Sequence, residues 1–314
     1  MFDYVRLAQA VPHVKVGAVR ENTARILEKI EEADGNGAAY VIFPELAVTG
    51  YTCADLFFSE SLLCETLDAL KTIAAATEKR DITVLVGVPV RIDSVLYNCA
   101  AILSGGRICG LVPKTFLPNY NEFYEKRWFA SARDLKRDTL DSLELGQSTS
   151  YPVPVSNRLV FTGRGGETFG VEICEDLWSP TSPSIKHALQ GATLLINLSA
   201  SNEVIGKDEY RKALVKVTSK KLISSYKHLE NKKIYSISNG IELNFFERDE
   251  KLGKEFRKKY GFTKKDKVIV GIGLYIERKG IVDFVELAKR MPEYKFIWFG
   301  YSPLAAATKK VRDA

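Results

Sequence analysis

The sequence predicts an α/β protein in which helices cover a mixed β-sheet. Two observations favour this class: strand-length apolar runs alternate with amphipathic helical segments, and a few neighbouring runs are joined by glycine-rich turns that indicate hairpins. With 314 residues, the chain is long enough for one large domain or two ordinary ones. It shows neither a signal-peptide pattern nor an apolar run of membrane-spanning length, so we expect a cytoplasmic protein.

Residues 1–219 supply most of the predicted elements. Helical periodicity marks two long segments, and β-branched or apolar runs separate them. In order, we predict a strand at 15–19, a helix at 22–33, a strand at 40–46, a helix at 61–79, a strand at 82–90, a hairpin of 96–103 and 107–112, a second hairpin of 159–162 and 168–173, a short helix at 184–190 and a strand at 193–198. The polar, turn-rich segment 119–164 is expected to contain a lid or wall.

Charge divides the chain into two parts. Residues 1–219 carry 23 basic and 27 acidic side chains, whereas residues 220–314 carry 22 and 12. This asymmetry predicts two domains with those limits. In the second domain we expect a helix at 246–260 and a βαβ unit made of a strand at 268–272, a helix at 282–290 and a strand at 295–299. Its basic surplus indicates either contact with an anionic membrane surface or an ordinary solvated face.

The cysteines and histidines narrow the chemistry. The five cysteines include no C-x-x-C pair and their number is odd, which fits a reducing compartment with free thiols. The three histidines, His13, His187 and His228, are scattered along the chain. A histidine-based metal site or a Ser-His-Asp triad is therefore disfavoured, and we expect no metal. We also expect no nucleic-acid partner.

Three predicted strands each end in a reactive side chain. Pro44-Glu45 and Pro113-Lys114 bring a carboxylate and an ammonium to two strand ends, and the strand at 168–173 ends at Cys174. Proline stops strand pairing, so the next side chain can leave the sheet edge and enter a crevice. A free cysteine is commonly just a small buried hydrophobe. With a carboxylate and an ammonium beside it, however, the same thiol suits acyl transfer.

Each of these groups has a distinct role in that chemistry. The thiolate of Cys174 is the nucleophile, and an ordinary thiol with a pKa of about 8.5 needs a base to form it. Glu45 can take the proton and return it to a departing amine. Lys114 can stabilise the thiolate and the oxyanion of the tetrahedral intermediate. These three residues are our candidate catalytic groups.

The motifs around these groups resemble those of the carbon–nitrogen hydrolases, the nitrilase superfamily. The matching motifs, in the order and spacing of that superfamily, are Phe43-Pro44-Glu45, Pro113-Lys114 and Glu172-Ile173-Cys174-Glu175-Asp176. The segments 45–51, 117–125 and 197–201 are similar to the glutaminase domains of glutamine-dependent NAD synthetases. The resemblance covers residues 1–219. It implies a four-layer α-β-β-α sandwich, glutamine as the substrate and a homo-oligomer.

The resemblance also implies further site residues. Glu125 matches the second glutamate of the superfamily, which orients the lysine; the alternative is a solvated surface carboxylate. Tyr120, Ser201 and Lys207 stand where the related glutaminases bind glutamine. Lys207 replaces an arginine of some relatives, and a single ammonium cannot form the bidentate fork that arginine makes to a carboxylate. Tyr51 either lines this pocket or fills the core.

Residues 221–314 resemble a different family, the retaining GT-B (family 4) glycosyltransferases, and among them the enzymes that glucosylate diacylglycerol. The matching segments are 237–242, 270–280 and 296–300. The resemblance implies that Gly273, Arg278 and Lys279 face a sugar-nucleotide diphosphate, although Leu274 stands where that family often has arginine. The dinucleotide fingerprint lacks its third glycine, so we do not expect NAD binding here. We expect a partial Rossmann-like GT-B βαβ unit.

The two resemblances meet near residues 217–221, without a linker rich in glycine, serine or proline. The first part would lack the closing strands of its sandwich, and the second would lack its acceptor-binding half. We therefore expect a C-terminally truncated nitrilase fold joined to a glycosyltransferase fragment, that is, a chimera of two genes. Two alternatives to a glutaminase stay open: a non-catalytic or non-functional chimera, and a sugar-nucleotide-dependent glycosyltransferase fragment.

The cofactor expectation follows from the missing nucleotide motif. No stretch supplies an ATP-binding loop with acidic metal ligands, since the candidate at 104–107 lies inside a predicted hairpin. The resemblance implies that ATP and magnesium belong to a synthetase domain absent from this sequence, and that the glutaminase part needs no cofactor. Ammonia released from glutamine would pass to that synthetase domain as a partner.

Overall fold

The computed structural model describes residues 4–202, 207–225, 249–273 and 280–300. The chain divides into two compact units, Met1–Ile241 and Glu242–Ala314. The domain limits expected from charge, 1–219 and 220–314, stay a prediction. Each unit is described separately below.

A five-stranded mixed sheet forms the first layer of strands in unit one. Its strands are β1 (Leu7–Gln9), β2 (Tyr40–Ile42), β3 (Thr83–Ile92), β4 (Val95–Ser104) and β5 (Arg107–Pro113), and they lie side by side in that order. The pairs β1–β2 and β2–β3 are parallel, whereas β3–β4 and β4–β5 are antiparallel hairpins. The mixed sheet that the alternation of helices and hairpins predicted is therefore confirmed.

Two helices, α1 (Val19–Gly35) and α2 (Glu60–Ala76), cover one face of this sheet. The period-2 geometry of β3 decides which side chains meet them, because successive residues point to opposite faces. Val84, Val86 and Val88 pack into the cluster that includes the helices, whereas Leu85 points into a second apolar cluster on the other face. Each such fully buried aliphatic side chain contributes about 1.5–3 kcal/mol.

The segment between the two sheets in sequence is irregular, as the turn-rich composition predicted. It holds one short hairpin, β6 (Thr139–Asp141) with β7 (Pro152–Pro154), and several single turns of 3-10 helix. Leu140 and Val153 of this hairpin join the core of the first sheet. The segment is thus a packed wall on that side of the sheet.

A second sheet packs against the free face of the first. Its strands are β8 (Val160–Thr162), β9 (Thr168–Ile173) and β10 (Leu194–Leu198), with β9 in the centre, and the helices beside it are α3 (Pro183–Leu189) and α4 (Lys207–Ser225). Side chains of β9 share an apolar cluster with Leu85 and Ile102 of the first sheet. On the outer side, Ala188 of α3 packs with Leu222 of α4. The layers are therefore helix, sheet, sheet and helix, the architecture typical of the nitrilase fold.

The start of the chain differs from the prediction. Residues 15–18 form no strand; the first strand is Leu7–Gln9, and the first helix begins at Val19 rather than at 22. The side chain of Asn22 accepts a hydrogen bond from the backbone N–H of Lys15 at 2.8 Å and donates to its carbonyl at 2.7 Å. Both backbone groups of Lys15 are therefore satisfied by a helix side chain, which leaves nothing for a neighbouring strand to pair with.

Unit two contains α5 (Glu250–Lys259), β11 (Val268–Ile272), α6 (Ile281–Arg290) and β12 (Lys295–Phe299). The two strands pair in parallel with α6 between them in sequence, which agrees with the predicted strand–helix–strand order. Phe284 of α6 packs edge-on against Phe296 and Trp298 of β12. Part of the predicted helix at 246–260, including its start, and the residues Leu274, Arg278 and Lys279 lie outside the described residues.

In the part of the chain that the structure describes, no helix is both long and apolar enough to cross a membrane.

Candidate active site

Glu45 reaches the interior through a tight turn that follows β2. The next residue, Leu46, has a positive φ of 51°, and the segment passes directly over Gly87 of β3. A Cβ at position 87 would lie 2.1 Å from the Leu46 nitrogen, so only glycine permits this approach. The strand predicted at 40–46 ends at Ile42, and the turn carries the carboxylate inward.

Lys114 follows the last residue of β5 and is completely buried. Its Nζ donates to Glu45 Oε1 and to Glu125 Oε1, at 2.6 Å in both cases. Both carboxylates are also buried, with 2% and 1% of their surface exposed. We call these three residues the buried charge cluster. An ammonium shared between two desolvated carboxylates forms strong, charge-assisted hydrogen bonds that fix all three side chains.

Neutral groups complete the cluster. Asn98 Nδ2 donates to Glu45 Oε1 at 2.7 Å, and the backbone N–H of Ala200 donates to Glu45 Oε2 at 3.1 Å. The Tyr51 hydroxyl donates to Glu125 Oε1 at 2.7 Å. Tyr51 thus contacts the cluster through its hydroxyl and packs against the hydrophobic core with its ring, so its assignment to the substrate pocket stays a prediction.

Cys174 begins a turn of 3-10 helix, Cys174–Trp178, directly after β9. Its φ is +44°, a left-handed conformation that costs a non-glycine residue about 1–3 kcal/mol and that concentrates at functional sites. The residue is 7% exposed. The thiol is thus presented at a sharp strand-to-turn junction, at the end of the strand where the sequence predicted it.

Electrostatics keep Cys174 protonated in the resting protein. Burial and the negative charge of Glu45 raise the pKa of the thiol to about 12, although Lys114 and a hydrogen bond from Ser199 act in the opposite direction. The thiolate therefore does not form unaided at neutral pH, and a base must take its proton. Glu45 is the carboxylate whose charge acts most on this thiol, which suits it to that task.

The other members of the cluster are shifted by the same neighbours. Burial lowers the pKa of Lys114, but the charges of Glu45 and Glu125 outweigh it, as does the thiolate form of Cys174 where it exists. The pKa of Lys114 is raised above its ordinary range, so the ammonium stays charged. Burial and the Glu45 carboxylate raise the pKa of Glu125 to about 7, while Lys114 acts to lower it. One cation thus holds two carboxylates that would otherwise repel each other.

Asp176 connects the lysine to the cysteine. Its Oδ1 accepts the backbone N–H groups of Thr115 and Phe116, at 3.0 and 2.8 Å, and its Oδ2 accepts that of Ile173 at 3.1 Å. These donors directly follow Lys114 and directly precede Cys174. The buried carboxylate therefore fixes the two strand ends relative to each other.

The predicted glutamine-binding residues lie around this centre and are more accessible. Tyr120 is 51% exposed, and its hydroxyl donates to the Glu175 carboxylate at 2.9 Å. Lys207 Nζ donates to Ser201 Oγ at 2.6 Å and lies 5.5 Å from the ring centroid of Trp178. We call Tyr120, Ser201 and Lys207 the outer set. Glu175 and Trp178 belong to the turn that begins at Cys174, so the outer set contacts the turn that carries this thiol.

Sequence reasoning missed three contributors to the site: Asn98, Asp176 and the Ala200 N–H. Asn98 had a visible signal, since it is the single amide side chain inside the apolar run of β4. Asp176 stood inside a motif already noted, but its partners are backbone groups about 60 residues away. A backbone donor such as that of Ala200 leaves no trace in residue identity.

In unit two, only Gly273 of the three predicted sugar-nucleotide residues is described. Its backbone N–H donates to the Phe299 carbonyl at 2.9 Å, and its carbonyl accepts from Trp298 Nε1 at 2.8 Å. The N–H of Gly273 therefore extends the pairing between β11 and β12, and its carbonyl is bound by the indole of Trp298. Across the described ranges, no group of three or more His, Cys, Asp or Glu side chains is placed to hold a metal ion.

A four-layer sandwich with a buried Glu-Lys-Glu cluster and a strand-end cysteine is typical of a hydrolase of nitrilase type. The family model for carbon-nitrogen hydrolases matches residues 4–217. This chain belongs to the carbon-nitrogen hydrolase family.

Similar proteins refine the comparison. The chain is 36% identical over 227 residues to the glutamine-dependent NAD(+) synthetase of Mycobacterium tuberculosis. This aligned region covers 71% of the present chain and 32% of the relative. For the human glutamine-dependent NAD(+) synthetase the identity is 32% over 222 residues, covering 68% and 31%. The chain thus spans about a third of the length of the curated relatives it matches.

Solved structures agree with these relatives. A glutamine-dependent NAD(+) synthetase from Cytophaga hutchinsonii superposes with a TM-score of 0.59 at 30% identity, covering 69% of this chain and 34% of that chain. An amidase of the nitrilase superfamily from Nesterenkonia superposes with a TM-score of 0.54 at 16% identity, covering 68% and 71%. The second likeness concerns the fold alone.

Proposed function

We propose that this chain hydrolyses the side-chain amide of glutamine to glutamate and ammonia through a thioester on Cys174. The observation that carries the proposal is the ammonium of Lys114, hydrogen-bonded to both Glu45 and Glu125 beside a strained, strand-end cysteine. Glutamine is the substrate named for the relatives that are 32–36% identical to this chain.

The first half-reaction forms the thioester. Glu45 takes the Sγ proton of Cys174 as the sulfur attacks the amide carbon, so the net charge of the buried site does not change during the transfer. Lys114 stabilises the resulting oxyanion; the ammonium has three N–H donors, and two of them bind carboxylates. Glu45 then returns the proton to the amide nitrogen, the C–N bond breaks and ammonia leaves.

The second half-reaction releases glutamate. Water attacks the thioester carbonyl, Glu45 accepts one of its protons, and Lys114 again stabilises the oxyanion. The C–S bond breaks, and the proton held by Glu45 returns to the sulfur. Glu125 holds Lys114 in place throughout, because its Oε1 accepts from both the lysine and Tyr51.

The outer set and Tyr51 are proposed to recognise glutamine. Lys207 is half-buried and already anchored by Ser201, so its charge is available at a defined position for the α-carboxylate of the substrate. Tyr51, Phe123 and Tyr120 form a row of edge-to-face rings that begins at the catalytic cluster. Such a row provides an apolar wall along the aliphatic part of the substrate.

A partner is proposed for the ammonia. The relatives are synthetases about three times the matched length, so we propose that ammonia passes to a synthetase domain, to which ATP and magnesium would belong, and that the protein forms homo-oligomers.

For residues 220–314 we propose a glycosyltransferase-like βαβ fragment that contacts anionic membrane. The parallel pair β11–β12 and the basic surplus of this part support the proposal. Helix α4 passes through the proposed join at 217–221.

The test is ammonia release from glutamine. Wild-type protein is expected to release ammonia, and Cys174→Ala to release none above background, whereas Cys53→Ala, which removes a buried thiol outside the site, retains activity. A glutamine-mimicking electrophile should label Cys174 selectively. Equal ammonia release by wild type and Cys174→Ala would refute the proposal, and absent labelling of a folded protein would favour a non-catalytic chain.

A further inference from the structure

A groove of about 550 Å³ lies outside the buried charge cluster. None of Glu45, Lys114, Glu125 or Cys174 lines it. Its walls come from four separate segments: 115–116 directly after Lys114, 132–138, 155–158 before β8, and 181–186 at the start of α3. A concavity of this size falls within the range of small-molecule sites, roughly 300–1,000 Å³.

The groove is strongly basic in an acidic part of the chain. Five cationic side chains line it and only one carboxylate, Asp138, does so; the cations are Arg133, Lys136, Arg137, Arg158 and Lys186. Residues 1–219 as a whole carry 23 basic against 27 acidic side chains. The surplus in the groove is therefore a local concentration rather than the general character of this surface. Like charges within one cleft raise the local potential and attract anions.

Three of these five cations form no ion pair with a residue that the structure describes. Arg137 forms ion pairs with Asp93 and Glu144. Lys136, Arg158 and Lys186, by contrast, form no ion pair with any residue within 4–202, 207–225, 249–273 or 280–300. Three cations without an ion-pair partner in the described part of the chain thus reach one groove from three different segments. A ligand with several negative charges would relieve their mutual repulsion.

The floor of the groove is rigid. Asn157 Nδ2 donates to Thr115 Oγ1 at 2.7 Å, and the Asn157 carbonyl accepts from Nε2 of the buried His187 at 3.0 Å. The guanidinium of Arg133 lies 4.5 Å from the ring centroid of Phe116, which holds its plane against one wall. The polar lining is thus preorganised, which lowers the entropy cost of binding.

We propose that this groove binds a small phosphate-bearing ligand with two or more negative charges, such as an oligophosphate or a nucleoside polyphosphate. Arginine forks and lysine point charges are the groups that proteins use for phosphates. An acidic protein segment would need an extended surface, whereas these cations line a single open groove. The proposal is independent of glutamine hydrolysis because the two sites share no side chain.

The test is calorimetric titration of the full chain with tripolyphosphate in low-salt, phosphate-free buffer. We expect binding at one site, and a loss of about tenfold in affinity for each cation reversed, as in Lys136→Glu/Lys186→Glu. The matched control is Lys71→Glu/Lys79→Glu, which reverses two exposed lysines outside the groove and should leave the affinity unchanged. Lys136→Gln/Lys186→Gln provides a milder variant should the reversal disturb folding.

Further titrations identify the source of the phosphate. Adenosine triphosphate that binds like tripolyphosphate would assign recognition to the phosphate chain, and tighter binding would add contacts to the nucleoside. No heat with either ligand, equal affinity in the groove and control variants, or binding of a glutamate-rich peptide without tripolyphosphate binding would each overturn the proposal. Ammonia release, measured in the same variants, is expected to stay at the wild-type level.

Discussion

The buried charge cluster and the outer set use the same kinds of side chains under opposite conditions. In the cluster, an ammonium and two carboxylates are at most 2% exposed, and their hydrogen bonds are 2.6 Å long. In the outer set, Tyr120 is 51% exposed and Lys207 is half-buried. Breaking a buried ion pair by removing one partner costs about 3–5 kcal/mol, whereas exposed pairs contribute about 0–1 kcal/mol. Substitutions in the buried charge cluster are therefore expected to lower both stability and activity, whereas substitutions in the outer set are expected to leave stability almost unchanged.

Replacing Lys114 should show the largest effect, because it leaves two buried carboxylates without their cation. Lys114→Met is expected to lower kcat/KM for glutamine about 10³-fold and the free energy of unfolding by about 3–5 kcal/mol. Ammonia release and urea unfolding measure the two losses. The double variant Lys114→Met/Glu45→Gln should regain part of the stability and none of the activity. A stable, active Lys114→Met protein would show that neither activity nor folding depends on the ammonium of the buried charge cluster.

Asp176 tests whether the cluster depends on its connection to the cysteine turn. Asp176→Asn keeps the shape but places an amide donor where one oxygen accepts a backbone N–H. We expect kcat to fall about 10–100-fold with little change in KM, since a small displacement of the reacting groups is costly. The pH dependence of Cys174 labelling should shift as well, which a purely structural role would not cause. Asp134→Asn, on an exposed turn, is the control and should match wild type.

Lys207 tests the other side of the comparison. Lys207→Met is expected to raise KM for glutamine about tenfold, to change kcat less than threefold and to leave the free energy of unfolding within about 0.5 kcal/mol of wild type. Lys212→Met removes an exposed lysine from the same helix and should leave KM unchanged. If Lys207→Met instead lowered kcat alone, the lysine would take part in the chemical step rather than in substrate binding.

The smallest expected effect is the pH dependence of stability that Glu125 contributes. Its pKa of about 7 in the folded protein exceeds the value of about 4.3 for an unfolded chain. Between these values the folded state holds a proton that the unfolded state has lost, so the stabilisation is complete below about pH 4.3 and disappears as the pH rises through 7. Urea unfolding at pH 6 and pH 8 should show a decrease on the order of 1 kcal/mol that Glu125→Gln removes. An unchanged pH profile in that variant would assign the effect to other groups.

The sequence was most informative about the site where residue types such as proline mark the end of a strand. Pro44 and Pro113 end two strands, and Cys174 follows a third, so the three reactive groups could be assigned to strand ends before their contacts were known. In the structure Lys114 bonds Glu45 directly, and both act on the charge of Cys174. Neighbouring strands of a packed sheet end close to one another. The fold class alone therefore predicted that the three reactive side chains would lie together.

Contacts made by single side chains over long separations could not be predicted in the same way. The run at 15–19 has the composition of a strand, yet one amide side chain, that of Asn22, satisfies the backbone of Lys15 and prevents pairing. Asp176 likewise binds backbone N–H groups, which are present whatever the side chain and therefore leave no pattern in the sequence. Local pattern cannot reveal which of several competing partners a backbone group chooses.

The position of Trp178 allows ligand binding at the outer set to be followed by tryptophan fluorescence. Its ring stacks on Tyr210 with centroids 5.4 Å apart and lies 5.5 Å from the Lys207 ammonium. The chain has three tryptophans, and the other two are engaged elsewhere: the indole of Trp128 donates to Asp55, and that of Trp298 to Gly273. With those two replaced by phenylalanine, the emission of one indole reports the charge that sits over it. Neutralisation of Lys207 by a bound carboxylate would then change the colour of the fluorescence, and occupancy could be followed without any turnover.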